Sequence, residues 1–125
     1  MCILMHLLRR HGTRRRRANV PPPVVAAALR RLDAAPERPA TLAELASLSG
    51  VSRFQPLRGF AREVGTTPHA YLVQCRVRLA RRLLAAGHVP AEVALQAGFA
   101  DQSHMTRAFV RQFGVTPARY RAAVA

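Results

Sequence analysis

GFADQSHMTRAFVRQFGVTPARY, residues Gly98 to Tyr120, decides how the rest of the chain is read. Gly98 marks a turn. Asp101 has the short polar side chain that accepts a backbone N–H two or three residues on, so it caps a helix. Gly114 ends that helix where a left-handed residue is needed. Thr116 and Pro117 then open a second, short helix. The spacing gives the first helix two faces. Met105, Ala108, Phe109 and Gln112 form one stripe, with Met105 and Phe109 as its large apolar members. Gln102, Ser103, Thr106, Arg107 and Arg111 form the other, where every side chain donates hydrogen bonds and two are cationic. Such a face suits the edges and phosphates of double-stranded DNA.

Working upstream, Pro90 at a first helical position and Glu92 open a short helix that ends near Gly98. Before it, Thr67 and Pro68 begin the longest helix, which reaches Ala86 and stops at Gly87. Leu72, Cys75, Leu79 and Leu83 make one apolar line along it, and Val73, Val77, Ala80 and Leu84 another. Arg76, Arg78, Arg81 and Arg82 fill the remaining surface, where the default is a solvated face. Further back, Ser52 caps a helix expected to reach Val64, stopped by Gly65. Thr41 with Glu44 makes a capping box for a helix through Leu42, Leu45 and Leu48 to Gly50. Val24 to Ala34 makes a helix with Val25, Leu29 and Leu32 inward, ending before Pro36 and Pro39. Residues 1–23 read as a disordered basic arm carrying Arg9, Arg10 and Arg14 to Arg17. Two readings of the arm stay open, a phosphate-gripping tail and a solvated extension.

The chain repeats itself. FAREVGTTPHAY, residues 60 to 71, matches FVRQFGVTPARY, residues 109 to 120, with Phe60, Gly65 and Tyr71 each 49 positions before its counterpart. Upstream of the turn Glu44, Ala46 and Gly50 pair with Glu92, Ala94 and Gly98 at an offset of 48, so the second turn holds one extra residue. Chance likeness of amphipathic helices reproduces Leu and Ala, not Phe, Arg, Gly, Thr, Pro and Tyr in register. The expected fold is all-α: two helix-turn-helix units, each a homeodomain-like three-helix arrangement, at about residues 41–65 and 90–121, joined by the helix 68–86 in a domain covering 24–125.

Composition bounds the function. The 125 residues carry 20 basic groups, all arginine, against 6 acidic ones, a net charge of +14. That balance points to a polyanion, nucleic acid before an anionic membrane. Arginine suits bidentate pairing with phosphate or guanine. Cys2 and Cys75 lie far apart, suggest neither a disulfide framework nor a zinc site, and fit a reducing cytoplasm. The apolar run that opens the chain is too short to span a bilayer. No nucleophile–base pair, metal spacing or glycine-rich phosphate loop appears, so an enzyme is not expected, nor a cofactor or a small-molecule effector site.

From about Val24 to Arg121 the chain resembles the DNA-binding domain of the AraC/XylS family of bacterial transcription regulators, most closely in GFADQSHMTRAFVRQFGVTPARYR. The resemblance implies a transcription regulator, an activator by expectation with RNA polymerase as a partner, whose two units insert recognition helices into successive major grooves. The positions matching the family's DNA-contacting set are Arg53, Phe54, Leu57 and Arg58 in the first unit and Gln102, Ser103, Thr106 and Arg107 in the second. The residues depart from the family pattern in two places. Pro56, in VSRFQPLRGF, cannot donate its missing N–H and presses its ring on the preceding turn, so a helix from Ser52 starts late or is distorted, and Gly59 weakens it further. The long upstream ligand-binding or dimerisation domain of many members is replaced by the short arm. Two alternatives remain: a non-specific or architectural DNA-binding protein driven by the arm, and a truncated regulator without its sensing domain.

Overall fold

The computed structural model describes residues 22–48, 57 and 59–124. Every regular element among them is a helix: α1 Pro23–Ala34, α2 Leu42–Ser47, α3 Phe60–Val64, α4 Pro68–Ala85, α5 Pro90–Gln96, α6 Gln102–Phe113 and α7 Pro117–Val124. The expected boundaries hold within a residue or two except in α2 and α3. The basic arm lies outside the described residues, apart from Pro22 and Pro23 at its end.

The chain divides into two compact units, the first including Ala40–Tyr71 with the residues before Pro36, the second formed by Pro36–Pro39 with Leu72–Ala125. In the first, α1 starts on prolines that pre-set the helical φ and turns Val24, Val25, Ala28, Leu29 and Leu32 fully inward. Leu45 of α2, Phe60 and Val64 of α3 and Tyr71 are buried with them, and the Phe60 and Tyr71 rings meet edge to face at 6.2 Å. The Thr41 hydroxyl accepts the Glu44 N–H at 3.0 Å, one half of the capping box. The Glu44 carboxylate does not return to Thr41; it accepts from Arg31 Nε at 3.2 Å, tying α2 to α1. The helix expected to run through Leu48 to Gly50 ends at Ser47 with Leu48 as its flanking residue, and of Leu42, Leu45 and Leu48 only Leu45 is buried.

α3 departs most from expectation. It opens at Phe60, and Leu57 lies outside it with its carbonyl accepting the Phe60 N–H at 2.8 Å. Gly59 is therefore the residue flanking the helix at φ −85° rather than a member of it, and the interior penalty expected for it does not arise. The start proposed at Ser52 lies outside the described residues. Gly65 closes α3 at φ 96°, as its position requires.

The second unit packs α4 through α7 around Val77, Ala80, Leu84, Val93, Met105 and Phe109. Of the two apolar lines on α4, the one through Val77, Ala80 and Leu84 is the deeper, while Leu79 and Leu83 sit half-buried at its edge. The arginines of α4 are not simply a solvated face. Arg76 donates to two main-chain carbonyls, Arg78 lies against the Cys75 sulfur at 3.6 Å and Arg81 sits 4.8 Å from the Phe113 ring centroid. Among the described residues no helix is long and apolar enough to cross a membrane, and no three His, Cys, Asp or Glu side chains gather as metal ligands.

Candidate nucleic-acid interface

The surface that presents polar groups is built by the cap, the stop and the buried side of α6. Asp101 sits in extended conformation and its Oδ1 accepts the His104 N–H at 2.8 Å, which fixes where the helix begins. Gly114 takes φ 81° and its N–H closes on the Val110 carbonyl at 2.8 Å. Between them Met105 and Phe109 are completely buried and Ala108 nearly so. The Phe109 ring meets Phe113 at 5.0 Å and Tyr120 at 5.7 Å, so Tyr120 serves as a wedge in the core. The inward stripe ends on Phe113 instead of Gln112, which is exposed, because the four-residue step from Phe109 stays on the buried line.

With that side committed to the core, rotation about the axis leaves Gln102, Ser103, Arg107 and Arg111 exposed and Thr106 half-exposed. Gln102, Ser103, Thr106 and Arg107 together line one open depression. Arg107 and Arg111 make no ion pair among the described residues, whereas Arg31 is paired with Glu44. Two unneutralised guanidinium groups and three neutral hydrogen-bonding side chains therefore share one helix face. That combination can donate to guanine or phosphate oxygens and exchange bonds with adenine. His104, beside them, is not part of the polar face: its ring stands edge-on to Phe99 at 5.2 Å and packs the first turn of α6.

The second unit thus brings its four sequence-picked residues together, with Arg111 one turn beyond. For the first unit the structure places only Leu57, half-buried ahead of α3. Arg53, Phe54 and Arg58 lie outside the described residues. Residues that hold the surface in place escaped the sequence reading. Arg121 donates from Nε to the His88 carbonyl at 3.1 Å and from Nη2 to the Gly87 carbonyl at 3.0 Å, tying α7 to the α4–α5 turn. Nothing in a run of arginines distinguishes one that grips a carbonyl from one that faces water. The Thr-Pro caps were legible: Thr116 Oγ1 accepts the Arg119 N–H and Thr67 Oγ1 the Ala70 N–H, both at 3.1 Å.

A family profile described as a helix-turn-helix domain matches residues 45–123. A putative AraC-like transcription regulator of Streptomyces antibioticus is 38% identical over 95 residues, covering 75% of this chain and 31% of that protein. The RCS-specific transcriptional activator RclR of Escherichia coli is 37% identical over 82 residues, covering 65% of this chain and 29% of that protein. The chain spans about a quarter to a third of the length of such curated relatives. Among solved structures, an AraC-type transcriptional regulator from Chromobacterium violaceum superposes with a TM-score of 0.72 at 31% identity, over 82% of this chain and 93% of that one. The DNA-binding domain of AdpA, solved in complex with a target DNA, gives 0.67 at 32% identity over the same shares.

Proposed function

Because this chain belongs to the AraC-type helix-turn-helix transcription regulators, DNA-binding proteins and not enzymes, we propose that α6 enters the major groove and reads base edges with Gln102, Ser103, Thr106 and Arg107. The observation that carries this is the shared, unneutralised face those four side chains make around one open depression. On this reading Arg107 takes a guanine edge and Arg111, a turn further along, a phosphate. The first unit contributes Arg53, Phe54, Leu57 and Arg58 to a neighbouring groove. Two grooves read by one protein call for a site on the order of 20 bp with some bending of the duplex. The activator named among the relatives supports activation. On this reading RNA polymerase is the protein partner and the cytoplasm the place of action.

Selecting bound duplexes from a random pool and sequencing them tests the reading. The expected result is a recovered motif that random duplex does not displace at equal concentration. Equal displacement by random duplex overturns it in favour of the non-specific alternative, which salt dependence alone would not reveal because phosphate contacts dominate both. Transcription from a promoter carrying the motif, measured with purified polymerase, distinguishes activation from occupancy.

A further inference from the structure

The turn that launches α6 is covered by a piece of chain from far upstream. We propose that Arg76 is a positioning residue for DNA reading: it straps the Pro36–Pro39 segment across Gly98 and so fixes the angle at which α6 is presented. This rests on the base-reading role of α6 given above.

Arg76, on α4, donates from Nε to the Pro36 carbonyl at 2.6 Å and from Nη2 to the Arg38 carbonyl at 3.3 Å. The planar fork of one guanidinium thereby holds both ends of a tripeptide that has no helix or strand of its own. Between those two points the main chain of Glu37 lies directly on Gly98. A Cβ at position 98 would fall 2.6 Å from the Glu37 oxygen and 2.9 Å from both its Cα and the Arg76 Nε. Gly98 also takes φ 94°, so glycine is required here both for backbone conformation and for close approach. This is the turn between α5 and α6. The Gly98 N–H bonds the Leu95 carbonyl and the Phe99 N–H the Ala94 carbonyl, and the buried Phe99 ring meets His104 in the first turn of α6. Strap, turn and first helical turn form one chain of direct contacts, all within the second unit.

The variants Arg76→Gln and Arg76→Lys of the full chain test this on the selected duplex and on random duplex, at temperatures well below each variant's melting point. Hydrogen exchange at the amides of residues 98 to 104 is followed in parallel. Arg76→Gln is expected to weaken binding to the selected duplex by about tenfold, the size of one misread base pair, with affinity for random duplex unchanged and exchange at the turn faster. Arg76→Lys, which keeps the charge but not the fork, is expected to fall between Arg76→Gln and the wild type. Equal losses on both duplexes, or a lowered melting point with discrimination intact in either variant, overturn the positioning role. Should Arg76→Gln fail to fold, the Lys variant decides by the same ratio. A wild-type chain that does not prefer the selected duplex overturns the regulator reading itself, and the inference with it.

Discussion

At the scale of single residues, what separates a reading group from a supporting one is where its hydrogen-bonding capacity is already spent. Arg107 has none of it committed among the described residues, whereas Arg121 and Arg76 have theirs on carbonyls. Arg107→Ala is accordingly expected to cost about 1–3 kcal/mol of binding and to relax preference at one base pair. Titrating selected and random duplex with the variant checks this, and equal losses on the two would deny Arg107 a base-reading role. Asp101 acts on stability instead. Removing its 2.8 Å bond to the His104 N–H with Asp101→Ala should cost about 1 kcal/mol in chemical denaturation. The roles of Asp101, Gly114 and the Thr-Pro pairs were legible in the sequence because capping is local chemistry, settled within four residues. The Arg76 strap was not, since it joins positions 38 and 40 residues apart and leaves no periodic mark.

Among the elements, α6 and α3 occupy matching places in the repeat and differ in what their sequences permit. α6 runs 12 residues from an Asp cap to a glycine stop, with two fully buried side chains along one stripe. Phe109→Ala removes the ring that touches both Phe113 and Tyr120 and should destabilise the second unit by about 3–5 kcal/mol, followed by denaturant titration. α3 has only five residues and no side-chain cap. Pro56, on which a late start was expected, lies outside the described residues, and the repeat alone would have given α3 the same length as α6, because register is blind to a single proline. Gly59 precedes α3 at φ −85°, open to any L-residue, and among the described residues a Cβ there would meet nothing nearer than the Arg62 guanidinium tip at 3.6 Å. Gly59→Ala is therefore expected to stabilise the protein by about 0.4–1 kcal/mol by restricting the unfolded chain. A fall in melting temperature would show that the glycine is needed.

For the whole molecule the question is how a net charge of +14 divides between holding the fold and holding DNA. Arg31, Arg76 and Arg121 are bonded inside the described structure and Arg81 covers an aromatic ring, so part of the excess is structural. The polyanion partner read from composition was the right inference, but composition counts those staples equally with Arg107 and Arg111. Six arginines lie in the arm, at positions 9, 10 and 14 to 17, ahead of every described helix. If these grip phosphates, they do so without regard to sequence, because phosphates are the same at every base pair. Deleting Arg14 to Arg17 is then expected to weaken selected and random duplex by the same factor. It should also flatten the slope of log affinity against log salt by about 0.9 for each arginine that leaves a phosphate. Arg107→Ala should flatten it by no more than about one such step while changing the ratio between duplexes. Salt titrations of both variants on both duplexes separate the two kinds of contact. An arm deletion that leaves the slope unchanged would identify the arm as a solvated extension and assign the electrostatic attraction to the helices alone.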